Sequence, residues 1–132
     1  MLNLGLLIIR LVIGLSFAGH GTQKLFGWFG GYGIKGTGQW MESVGIKPGA
    51  TMAFLAGLTE LVGGLLFAAG LLTPIASILI AATMVVAIAK VHGANGFWAT
   101  QNGYEFNVVL IAVVIGVALT GPGQYALDAI LF

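Results

Sequence analysis

Four long apolar runs, separated by polar or glycine-rich stretches, organise the chain. A helix that crosses a bilayer needs about 20 mainly apolar residues, and the runs predict spans over about 3–26, 51–72, 74–92 and 104–120. The predicted class is all-α: a single domain over residues 1–132, built as an integral membrane four-helix bundle with both termini on one side.

The stretches between the runs carry boundary signals. Residues 27–50 form a glycine-rich linker with Lys35, Glu42 and Lys47, within which Gln39 to Val44 suits a short interfacial helix, and Trp28, Tyr32 and Trp40 suit headgroup depth. Thr73 and Pro74 read as N-cap and first residue of the third helix, after a tight turn at Gly70. Asn102 and Glu105 have capping-box-like spacing at the start of the fourth, and Gly121-Pro122-Gly123 ends it. The tail 124–132, apolar apart from Asp128, is expected at the interface.

Composition narrows the function classes. With 58% hydrophobic and 7% charged residues and a mean hydropathy of +1.03, the chain lies far from the balance of a soluble domain. Five scattered basic residues and a net charge of +1 provide no footprint for nucleic acid. The absence of cysteine excludes thiol, disulfide and iron–sulfur chemistry by this chain. Met1 to Arg10 lacks a basic leader region, so the first run reads as a retained span.

The charges inside the spans then need explaining, because each costs about 3 kcal/mol near the bilayer centre. They should face one another or a small wet cavity. Call the side bearing the 27–50 and 93–103 linkers the loop end. At a rise of about 1.5 Å per residue, Lys24, Lys90, His92 and Glu105 sit near the loop end, His20 about 9 Å inward and Glu60 about 13 Å inward. Arg10 enters from the opposite face and could reach toward Glu60. On a helical wheel Arg10, Lys24 and His20 fall within an arc of about 80°. Gly57, Gly63, Gly64 and Phe67 surround Glu60 within about 60° on the second span, a smooth face that lets a neighbouring helix approach.

Each group also has a plain structural reading. Arg10 with Glu60 makes an economical buried ion pair, Lys24 and Lys90 can extend to the headgroups, Glu105 can cap its helix, and His92 can be an interfacial imidazole.

Several of these residues carry a resemblance to the DoxX family of small four-helix membrane proteins. The matching pieces are His20-Gly21-Thr22-Gln23-Lys24-Leu25-Phe26-Gly27, Glu60 with Gly63-Gly64, Gly70-Leu71-Leu72-Thr73, Gly103-Tyr104-Glu105, and Gly121-Pro122-Gly123 with Leu127-Asp128. One departure is Pro74, where many relatives carry a basic residue. The resemblance implies a membrane oxidoreductase or a subunit of a membrane redox complex, with relatives linked to quinone or catechol stress. A fold transfers more securely than a reaction.

The favoured expectation is quinone-linked redox chemistry in a bacterial or archaeal cell membrane. Glu60, His20 and Lys24 are the catalytic candidates, and Arg10, Gln23, Lys90, His92, Tyr104 and Glu105 the ligand-binding ones. His20, Gln23 and Lys24 would supply hydrogen-bond donors to a quinone oxygen, with Glu60 or Glu105 exchanging protons. No electron carrier is evident in the sequence, so electrons would come from a second substrate, a bound cofactor or a redox protein partner. The alternatives are a non-catalytic anchor for a redox partner and a lipid or small-molecule carrier, the latter working as a homo-oligomer. Haem or metal ligation by His20 and His92 matches no recognised ligand spacing and is the least favoured. Counting Lys24, Lys35, Lys47 and Lys90 at the loop end against Arg10 at the other places the loops in the cytoplasm.

Overall fold

The computed structural model describes residues 1–132 and is all-helical. Helix α1 spans Leu2–Phe26 and stops at Gly27, whose φ of 75° places it in the left-handed region that an L side chain disfavours. Helix α2 covers Gly33–Ser43 and α3 covers Gly49–Ala69. Helix α4 runs over Thr73–Ala87 and continues through a π-helical turn at Ile88–His92, giving one apolar helical segment over Thr73–Asn95. Helix α5 is Glu105–Thr120, and a short α6 at Leu127–Leu131 ends the chain.

Three segments, Leu2–Phe26, Gly49–Ala69 and Thr73–Asn95, are long and apolar enough to cross a membrane. Helix α5 is apolar but has only 16 residues, about 24 Å against a hydrocarbon thickness of about 30 Å. Large apolar side chains such as Val12, Leu15, Ile78, Phe106 and Leu119 point outward, as they must where the surroundings are lipid. The chain is an integral membrane protein.

Packing proceeds in pairs. Helix α1 lies along α3, α4 lies along α5, α3 joins the two pairs, and α2 rests on α3. Leu6, Phe17, Phe67, Ala76, Ile80, Val114 and Val117 form the core where the pairs meet. At one end of the bundle the Gln124 amide donates to Asn3 Oδ1 at 3.1 Å, so the two ends of the chain are neighbours.

Glycine sets the closest approach and, with it, the register of α1 on α3. A Cβ built on Gly14 would lie 2.5 Å from the Gly64 carbonyl oxygen, and one on Gly21 2.6 Å from the Gly57 carbonyl oxygen. Gly14 and Gly21 are seven residues apart, as are Gly57 and Gly64, so two glycine pairs repeat on facing helices at the same interval. Backbones in contact over two turns hold α1 antiparallel to α3 in one alignment.

Three local expectations are corrected. The linker helix is α2, which begins at Gly33 instead of Gln39 and buries Thr37, Gly38 and Met41. Thr73 is the first residue of α4 and does not cap it; Asp128 does, accepting from the Leu72 and Thr73 amides at 2.7 and 2.9 Å and from the Thr73 hydroxyl at 2.7 Å. Nor do Asn102 and Glu105 form a capping box: Glu105 Oε1 accepts from the Ala99 amide at 3.0 Å, tying the preceding loop to α5.

Candidate functional site

The α1–α3 register decides which charges meet. Lys24, in the last turn of α1, reaches across to α3, where its Nζ donates to both Glu60 oxygens at 2.9 and 2.8 Å. Gly57 permits this, because its missing side chain leaves room for the Lys24 stem and Leu25. Glu60 is 95% buried and Lys24 half-buried, so the carboxylate is held away from lipid by its cation.

Arg10 does not pair with Glu60, contrary to the economical sequence reading. The register sets it beside Ala68, eight residues and about 12 Å along α3 from Glu60. There its guanidinium donates to the Ala68 carbonyl at 2.9 Å and the Tyr125 carbonyl at 2.8 Å, while Nε is buried without a partner. A cation suits the C-terminal end of α3, where unpaired carbonyls concentrate negative potential. Asp128 lies nearby and outside the spans. Burial alone would raise its carboxyl, but hydrogen bonds from Thr73 and Leu72 and the charge of Arg10 bring it below the ordinary carboxylate range. The polar groups therefore divide into two clusters, one toward each end.

The cluster toward the loop end borders a cleft of about 660 Å³ between the α1–α3 and α4–α5 pairs. Most of its wall is apolar. His20, Lys24, Glu60 and His92 line it, as do Asn107 and Trp40. A cleft of this size, mainly apolar with a few polar groups, has the character of a small-molecule site.

Hydrogen bonds orient the two imidazoles. His20 Nδ1 is 3.1 Å from Gln23 Oε1, and the Gln23 amide donates onward to the Phe29 carbonyl at 3.2 Å. His92 Nδ1 is 2.9 Å from the Asn102 carbonyl. Both partners are acceptors, so each Nδ1 carries the proton, and in the neutral ring each Nε2 is left as an acceptor. The π-turn over Ile88–His92 places Val91 and His92 on the cleft wall, a common use of such irregular turns.

Five other candidates lie outside the cleft lining. Arg10 is in the opposite cluster; Gln23 orients His20; Lys90 is exposed; Tyr104 packs edge-on against Phe97 with ring centroids 5.5 Å apart; Glu105 anchors Ala99. Sequence reasoning missed Asn107, Trp40 and Met41. For Asn107 a signal existed: it is the one strongly polar residue of α5 between Glu105 and the terminal Thr120.

The DoxX family profile matches residues 5–93, which cover α1 to the π-turn and include Lys24, Glu60 and His92. The chain is also 34% identical, over 130 residues, to the Bacillus subtilis (strain 168) protein named "Putative oxidoreductase CatD", with 98% of this chain and 89% of that protein aligned. No solved structure matches. A profile match over more than half of the sequence, together with a near full-length relative, shows that this chain belongs to the DoxX family.

Proposed function

We propose that the protein is an oxidoreductase, or the membrane subunit of one, in a bacterial or archaeal cell membrane, and that its cleft takes a lipid-soluble quinone. The observation that carries this reading is the mainly apolar cleft with the Lys24–Glu60 pair and two oriented imidazoles on its wall. Apolar walls suit the ring and its tail, while the polar groups suit the ring oxygens. Reduction of a quinone to its hydroquinone consumes two electrons and two protons. In this proposal the electrons come from a partner redox protein, Lys24 donates a hydrogen bond to the quinone oxygen as it gains charge, and Glu60 and His20 pass protons. The relative's name supports redox chemistry of some kind.

The test is quinone titration of the purified protein in lipid nanodiscs, read by the fluorescence of Trp40 on the cleft wall. Saturable quenching, lost in Trp40→Phe and weakened in Lys24→Met, is expected. Quenching that rises linearly and matches protein-free nanodiscs would overturn the proposal.

One observation favours a second reading, in which the chain is a non-catalytic anchor for a redox partner. Lys24 and Glu60 already satisfy each other with two hydrogen bonds, as a purely structural pair would. Retained partner capture and retained redox activity of the complex after replacement of both residues by Met and Leu would select it.

A further inference from the structure

Asn107 is 93% buried in a helix whose other interior residues are apolar. A carboxamide buried without good partners is costly, and its usual compensation in a membrane bundle is a hydrogen bond to the adjacent helix. Asn107 has only a poor one: its Nδ2 faces the Met84 sulfur at 3.5 Å, and a thioether is a weak acceptor. Both residues line the cleft. Asn107 belongs to the α4–α5 wall, whereas Lys24, Glu60 and His20 belong to the α1–α3 wall.

Resting on the quinone reading above, we infer that Asn107 is a positioning residue that holds the second oxygen of a ring bearing two opposed oxygens. A carboxamide has both a donor and an acceptor. It donates through Nδ2 to the carbonyl of the oxidised ring and accepts through Oδ1 from the hydroxyl of the reduced ring. It therefore anchors one end of the ligand in either redox state without itself supplying a proton; reduction adds one proton to each ring oxygen, and both are delivered by the titratable groups of the cleft wall. The ligand class is a para-quinone and its hydroquinone, in preference to a ring with one oxygen.

Equilibrium binding in nanodiscs tests this with three probes sharing one alkyl tail: a para-benzoquinone, its hydroquinone and a monophenol. Wild type should bind the first two more tightly than the monophenol. Asn107→Leu should weaken both by about tenfold, the size expected for loss of one good hydrogen bond, and leave the monophenol unchanged. The near-isosteric Asn107→Asp, which keeps the shape but loses the amide donor, should weaken the quinone more than the hydroquinone. That change in ratio is not a consequence of altered folding. Equal binding of all three probes by wild type and both variants, or equal weakening of all three, overturns the role of Asn107 while leaving the quinone site standing. Failure of wild type to bind either two-oxygen probe overturns both.

Discussion

Lys24 and Glu60 join the end of α1 to the middle of α3 through two hydrogen bonds from one ammonium, at 2.9 and 2.8 Å. Breaking one half of such a pair leaves the other buried and uncompensated. Glu60→Leu or Lys24→Met alone is expected to destabilise the folded protein by about 3–5 kcal/mol, and the Lys24→Met/Glu60→Leu double variant by much less. Thermal unfolding of the four proteins in one detergent provides the cycle, and additive losses would show that the residues do not act as a pair.

The glycine contacts imply a contrast between positions of one helix. Gly21→Ala puts a methyl group into the α3 backbone and is expected to cost about 1–3 kcal/mol. Gly19→Ala meets nothing within 4 Å and should be neutral or stabilising by up to about 1 kcal/mol, because alanine is the better helix former. Melting temperatures of the two variants check the sign of each, and similar losses in both would contradict the described register.

Asp128 confers an acid sensitivity. Its carboxyl is lowered in the folded protein, so its contribution is complete above the unfolded value of about 3.9 and is lost as pH falls through the lower folded value. The melting temperature should therefore fall below about pH 4. Asp128→Asn should lower stability at pH 7 and flatten that dependence, since the amide retains only part of the cap on Leu72 and Thr73. An acid limb of unchanged steepness in the variant would assign the effect to another group.

Topology has its own test. The positive-inside count over Lys24, Lys35, Lys47 and Lys90 predicts the loop end in the cytoplasm and Phe132 outside it. A reporter fused after Phe132 should show activity outside the cytoplasm, and a cytoplasmic signal would reverse the assignment.

The helices were legible because length and hydropathy alone determine most of what a lipid-facing helix must satisfy. The cluster at the loop end was partly legible: depth arithmetic put Lys24, Glu60, His20 and His92 close together, and all four line the cleft. Arg10 was misplaced because depth and wheel angle cannot provide the alignment between two helices. The repeat of Gly14 and Gly21 against Gly57 and Gly64 provides it, and only the facing backbones show that those pairs meet. The cap on α4 was hidden for a similar reason, since Asp128 is more than fifty residues from the amides it binds.

The hydrogen bond from Arg10 to the Tyr125 carbonyl spans 115 residues. During synthesis the guanidinium is made long before this acceptor. Until Tyr125 emerges, a charge in the first helix keeps only its bond to Ala68, and until Asp128 follows, the start of α4 is uncapped. The segment carrying Tyr125 and Asp128 thus completes the bundle: a nascent chain that lacks it carries an incompletely satisfied cation among apolar helices, the kind of defect by which unfinished membrane proteins differ from finished ones.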